Sequence, residues 1–307
     1  MYKEAHELNF KFRRLTRQER RNLRLGLAFI SPWIIGFLIL TLYPIAISLF
    51  YSFNNFGLLS PPTWVGTQNY VELFTRDDKF FTSLYNTVFF FSLAMPASVV
   101  AAFFLALLLN NKLHGVTFFR SVFFLPTIVP TVASAAVWMW LLNPQWGLIN
   151  AFLRLIGVHG PPWLSSPEWA KPSLVLVAIW TIGSEVIIYL AALQEIPRDY
   201  YEAALVDGAT LWHRTRFITL PLITPVILFH LINGTIWAFQ YFTEAFVMTG
   251  GGPANATLFY ALYLYRNAFT NLKMGYASAQ AWILFFVVMV ATLIIMRSSK
   301  GWVYYED

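Results

Sequence analysis

The chain has 307 residues, of which 58% are hydrophobic and only 12% charged, and its 21 Lys and Arg against 15 Asp and Glu give a net charge of +6. Soluble domains carry about 25% charged residues, so apolar content on this scale, with a mean hydropathy of +0.57, points to a bilayer and to one polytopic domain. The absence of cysteine excludes disulfides, thiol chemistry and cysteine-bound metals.

Lys3, Lys11, Arg13, Arg14, Arg17, Arg20, Arg21 and Arg24 precede the first apolar run. This basic tail, residues 1–25, is expected to stay in the cytoplasm beside the bilayer surface, a commoner partner for such charge than nucleic acid. Leu25 to Phe50 is too long for a cleaved signal peptide and lacks a small-residue cleavage site, so it reads as a retained span. Five more apolar runs follow, at roughly Leu84 to Leu109, Phe119 to Leu142, Ser173 to Leu193, Leu222 to Met248 and Tyr276 to Met296. Each meets the roughly 20 residues that a membrane crossing needs. Six spans over residues 26–297 give an all-α membrane bundle with both ends, including the tail 298–307, in the cytoplasm. That topology places 15 of the 21 Lys and Arg inside, as the positive-inside rule requires.

The connections on the outer side carry order of their own. Gly147-Leu148-Ile149-Asn150 opens a short helical stretch, which Pro161-Pro162-Trp163 is expected to end. Pro32, Pro44, Pro96, Pro126, Pro130, Pro225 and the pair Asn233-Gly234 are expected to bend the spans around a pathway, because freed backbone groups must face protein or water.

Two spans hold polar residues suited to such a pathway. Glu185, placed at the centre of the fourth span, would cost about 2.5 to 3.5 kcal/mol against lipid and is therefore expected to face the bundle interior. In the fifth span Asn233, Trp237, Gln240, Tyr241 and Glu244 recur at spacings of three and four, which puts them on one helix face. A polar and aromatic stripe suits a sugar, whose hydroxyls need hydrogen-bond partners and whose ring stacks on aromatics; packing between spans is the competing explanation. Phosphate chemistry needs a Gly-Lys pair in a glycine-rich loop, and none exists. Of the five histidines, His6, His114, His159, His213 and His230, only His230 is deep. It has no second histidine at metal spacing on its helix, so it reads as a hydrogen-bonded helix residue.

Between the fourth and fifth spans lies a polar, turn-rich loop, residues 195–221. Asp199 and Glu202 stand three apart, so Asp199 is expected to cap a helix while Glu202 reaches back to the cap N–H. Gly208 is expected to end that helix in the left-handed conformation, and Thr210 to cap a second helix running through Trp212 toward Phe217. Isolated helices need roughly 12 to 15 residues, so both must be held by contacts outside the loop.

The spacing Glu202-Ala203-Ala204, three residues, Gly208, nine residues, Ile218, one residue, Leu220-Pro221 resembles the cytoplasmic loop of ABC importer permeases. Val65-Gly66-Thr67-Gln68-Asn69-Tyr70, Asn86-Thr87 and Val247-Met248-Thr249 through Pro253 resemble the carbohydrate branch of that family. The resemblance implies that Asp199, Glu202, Ala203, Ala204, Asp207, Gly208, Ile218, Leu220 and Pro221 belong to a loop that fits a cleft on a separate ATPase and transmits its closure. It also implies a second permease subunit, commonly a different chain, and an extracytoplasmic sugar-binding protein. ATP and magnesium would be held by the ATPase, with no cofactor in this chain, and the site of action would be a bacterial or archaeal inner membrane. An uncoupled channel or secondary carrier for a polar solute is the alternative from another class, and an integral-membrane enzyme a more distant one.

Overall fold

The computed structural model describes residues 16–111 and 115–304; Lys3, His6, Lys11, Arg13, Arg14, Lys112 and His114 lie outside them. The chain forms two units, residues 1–50 and 51–307. Helix α1 (Arg17–Ser52) makes up the described part of the first unit, through residue 50, and starts at a capping box: Glu19 N donates to Thr16 Oγ1 (3.2 Å) and Thr16 N to Glu19 Oε2 (2.7 Å). These two reciprocal bonds satisfy donors that the first helical turn leaves free. The helix therefore begins well ahead of the expected span and carries Arg17, Arg20, Arg21 and Arg24. A π-wound turn at Leu38–Leu42 lies just before Pro44, whose missing N–H cannot close an ordinary i to i−4 bond.

The second unit opens on a two-stranded antiparallel hairpin, β1 (Asn54–Gly57) and β2 (Ser60–Trp64), which the apolar periodicity did not announce. Then come α2 (Gln68–Thr75) and α3 (Asp78–Asn110). Asp77 caps α3, its carboxylate accepting from Phe80 N at 3.1 Å. The chain continues through α4 (Val116–Ile128), α5 (Thr131–Leu141), α6 (Leu148–Leu155), α7 (Pro167–Trp180) and α8 (Gly183–Glu195). It closes with α9 (Arg198–Val206), α10 (Leu211–Leu222), α11 (Thr224–Phe239), α12 (Tyr260–Tyr265) and α13 (Met274–Ser299).

Among the described residues only α1, α3 and α13 are single helices long and apolar enough to cross a membrane; the other three expected spans are bent pairs. They turn by 103° between α4 and α5, 50° between α7 and α8, and 61° between α10 and α11. Prolines stand at two of these breaks, Pro130 between α4 and α5 and Pro225 at the start of α11, but a helix does not break at every proline. Pro96 sits inside the unbroken α3 and Pro126 inside α4, whereas the break at Thr181–Ile182 has no proline. There, Gly183 meets α4 so closely that a Cβ would lie 2.3 Å from the Phe123 carbonyl oxygen. Asn233-Gly234 is not a bend either: it lies within α11, and a Cβ on Gly234 would lie 2.4 Å from Met95 Sδ. The glycine permits a close crossing of α11 and α3, the usual function of small residues between membrane helices. Ala94, Ala102 and Ala106 line α3 as buried small residues, and this helix packs on α7, α8 and α11 at the centre of the unit. Short helix α6 starts after Gly147 as expected, but Gly157 at φ +79° ends it, ahead of Pro161.

Candidate functional site

The loop between α8 and α11 folds as two helices with a glycine joint. Its first helix, α9, starts directly after Pro197, which has extended backbone and makes no side-chain cap. Asp199 is therefore not the cap; it stands in the first turn, where a carboxylate favours the positive helix end. Gly208 ends the helix at φ +75°, and no atom lies within 4 Å of where a Cβ would stand, so its backbone conformation, not space, requires glycine. Ala209 N closes the turn onto Ala204 O at 2.8 Å. Thr210 caps α10, accepting from His213 N at 3.4 Å, and Thr215–Thr219 within that helix is π-wound.

Glu202, Ala203, Asp207 and Gly208 face outward beside a run of exposed apolar side chains: Leu205, Val206 (89% exposed), Leu211 and Trp212 (66%). Behind it the loop is fastened to the bundle. Tyr201 OH and Thr219 Oγ1 are 2.9 Å apart, linking α9 to α10. Tyr201 and Leu222 also pack on the buried cluster of Leu193, Ile196 and Ile223. Ile218, Leu220 and Pro221 are half-buried on this inner side. A cavity of about 470 Å³ lies here, lined by Leu107, Leu193, Tyr201 and Arg214 among others. Sequence spacing does not single out Tyr201, because its partner lies 18 residues away.

In the bundle, two cavities of about 260 and 250 Å³ share Thr181, Glu185 and Trp237. The first is also lined by Ser98, Tyr189, His230 and Asn233; the second by Thr131, Ser134, Ser184 and Glu244. Glu185 is in the first turn of α8, beside the Thr181–Ile182 break, rather than mid-helix. His230 contacts both neighbours across the first cavity, Nδ1 to Tyr189 OH at 3.2 Å and Nε2 to Ser98 Oγ at 3.4 Å. Among the described residues no cluster of His, Asp and Glu has metal-binding arrangement.

The expected stripe on the fifth span is therefore corrected. Helix α11 stops at Phe239, so Gln240, Tyr241 and Glu244 do not continue the face of Asn233 and Trp237. Gln240 is exposed, and neither it nor Tyr241 lines either cavity. Tyr241, 2% exposed, stacks on Phe90 at 4.4 Å and meets Trp237 and Phe259 edge-on, with its hydroxyl buried and unbonded. It is a core residue. The helical face runs the other way, through His230, Asn233 and Trp237, and the spacing of Glu185 and Tyr189 by four was its legible counterpart on α8.

The motifs around Asn69, Asn86 and Asn150 hold the fold together through hydrogen bonds. Asn69 Nδ2 donates to Ser52 O and Asn54 O (2.8 and 3.0 Å) and Tyr70 OH to Ser52 Oγ (2.8 Å). Asn86 Nδ2 donates to Asn255 O (2.8 Å), and Thr87 Oγ1 accepts from Tyr260 N (2.9 Å), so both hold the loop after Gly250-Gly251. Asn150 Oδ1 accepts from Trp163 Nε1 at 2.7 Å, strapping the next loop. Asp77 accepts from Tyr263 OH (2.7 Å) and from Tyr276 OH. Burial and then the bond to Asp77 push the Tyr263 phenol up to about 12, so it remains a donor at neutral pH.

Residues 73–301 match the family described as binding-protein-dependent transport system inner membrane component. The chain is 42% identical over 296 residues to the probable ABC transporter permease protein YesP of Bacillus subtilis (strain 168), covering 95% of this chain and 96% of that protein. It is 38% identical to the lactose transport system permease protein LacF of Rhizobium radiobacter, covering 89% and 92%. Its structure is similar to a chain of a bacterial alginate ABC transporter crystallised with an alginate pentasaccharide-bound periplasmic protein, with a TM-score of 0.82, 27% identity and coverage of 94% and 98%.

Proposed function

Because the chain belongs to the family of inner membrane components of binding-protein-dependent transport systems, we propose that it carries a carbohydrate through the cavities beside Glu185 and Trp237. It is a permease subunit and not an enzyme, and ATP is hydrolysed on a separate subunit. The relatives' cargoes include lactose and the acidic polysaccharide alginate, and the cargo here is an oligosaccharide or sugar derivative delivered by an extracytoplasmic binding protein. The observation that carries this reading is a set of polar side chains lining cavities inside an apolar bundle. Hydroxyls of Ser98, Thr181 and Ser184, the Asn233 amide and the Trp237 ring surround them, the donors, acceptors and stacking face that a sugar needs.

In this reading both termini and the loop 195–221 face the cytoplasm, and a second permease, a different chain, completes the pathway. The exposed side of the loop, Glu202 to Gly208 with Leu211 and Trp212, seats on the ATPase. Its closure moves α9, and the Tyr201–Thr219 bond carries that movement into α10 and α11, where Asn233 and Trp237 stand. The test is ATP hydrolysis by the complex in liposomes with sugar-loaded binding protein. Stimulation by sugar supports the reading; uptake that ignores ATP, with no ATPase co-purifying, refutes it.

A further inference from the structure

The ionisable groups lining the two cavities are Glu185, Tyr189, His230 and Glu244; among the described residues no Lys or Arg lines either one. Glu185 and Glu244 face the same space in the second cavity, among the hydroxyls of Thr127, Thr131, Ser134 and Ser184. The one cation of α7, Lys171, is committed elsewhere: its Nζ donates to Asn86 Oδ1 at 3.0 Å and lies over the Phe89 ring, and it lines neither cavity. An ionised carboxylate accepts hydrogen bonds from hydroxyl or ammonium groups, and a protonated one adds a single donor. Toward an anionic group both ionised forms are repulsive, and in a low-dielectric space that repulsion is poorly screened. On this chain's side of the pathway, hydroxyls and two acidic groups with no cation thus disfavour an anionic cargo by repulsion whenever an acid is ionised, which is how selectivity against a wrong partner is commonly built.

We infer that the cargo of this permease is a sugar without carboxylate, sulfonate or phosphate groups, its hydroxyls received by Glu185 and Glu244. The inference rests on the proposal that these cavities are the carbohydrate pathway, and it narrows the substrate class that pathway takes. Trp237, which lines both cavities and is 44% exposed, offers its ring to the apolar face of the sugar, while the two acids read the hydroxyl edge. Binding of hydroxyls by carboxylates is charge-assisted and correspondingly strong.

The intact complex with its ATPase, in nanodiscs and without binding protein, is titrated with lactose and with an alginate disaccharide while saturation-transfer NMR reads binding. Leaving out the binding protein removes its own selectivity from the result. The expected outcome is that lactose binds at least about tenfold more tightly, and that Glu185→Gln combined with Glu244→Gln brings the ratio below about threefold. Should the double variant fail to assemble, Glu185→Gln and Glu244→Gln are titrated singly, and a native ratio left unchanged in both overturns the assignment to these acids. Equal or tighter binding of the alginate disaccharide by the native complex overturns the charge rule and leaves the carbohydrate pathway standing. If neither sugar binds while a non-sugar solute stimulates ATP hydrolysis with its binding protein, the carbohydrate pathway and the charge rule fall together.

Discussion

The loop around Gly208 and the chain around Tyr241 are both short interruptions of apolar helices, yet they are held in opposite ways. The loop is anchored to the bundle through Tyr201 and Leu222, but its glycine joint keeps its shape through local bonds, the turn onto Ala204 O and the Thr210 cap, and leaves Leu205, Val206 and Trp212 exposed. At Gln240–Phe242 no glycine or proline stops the helix, whose end tightens through Gln240 N to Trp237 O at 3.1 Å. Tyr241 turns into the core between Phe90 and Phe259, and burial of that ring fixes the break. The joint at Gly208 is thus specified by its own residues, whereas the break at Gln240 is packed by residues distant in sequence.

The sharpest way to break this contrast is Tyr241→Ala. A core ring of this kind is expected to cost about 3 to 5 kcal/mol when truncated, so assembly yield and thermal tolerance of the complex should fall together. Tyr241→Phe should leave both unchanged, because the hydroxyl it removes is buried without a partner. Lost uptake with normal assembly in Tyr241→Phe would return this residue to the pathway.

Gly208→Val comes next. At φ +75° a β-branched residue is strained by about 1 to 3 kcal/mol, and the open space around it confines that strain to the joint. Complex formation should survive while sugar-stimulated ATP hydrolysis is lost; stimulation at the native rate would show that the joint does not couple. Tyr201→Phe removes one hydrogen bond, about 1 kcal/mol, and is expected to lower stimulated but not basal hydrolysis. The smallest effect is that of Glu202→Lys, which puts a cation on α9, whose positive end attracts carboxylates, for at most about 1 kcal/mol within the helix. Its readout is the amount of ATPase retained on the purified complex, which should fall.

What could be read in the sequence follows the same division. Gly208, Thr210 and the helix after Gly147 announce themselves because a left-handed turn or a cap restricts residue type locally. Asp199 was misplaced by the same rules, since Pro197 started the helix before it. The stripe failed at Gln240 because no glycine or proline marks the end of α11, and Ser98, Tyr189 and His230 were missed as cavity residues because they come together from three helices. Prolines were a partial guide: Pro130 and Pro225 stand at breaks, whereas α3 absorbs Pro96 and the break before Gly183 has no proline, only a glycine that lets α8 approach the Phe123 carbonyl. The hairpin at Asn54–Trp64 was hidden by the short length of its strands.

The central claim, that the exposed side of α9 seats on the ATPase, can be tested directly because the chain contains no cysteine. Ala203→Cys, on that exposed side, and Asn271→Cys, exposed beyond α12, each introduce a single thiol. Maleimide labelling is compared in membranes with and without the co-expressed ATPase. The account predicts that the ATPase protects the cysteine at position 203 and leaves the one at 271 fully labelled; equal labelling of position 203 in both membranes would contradict it.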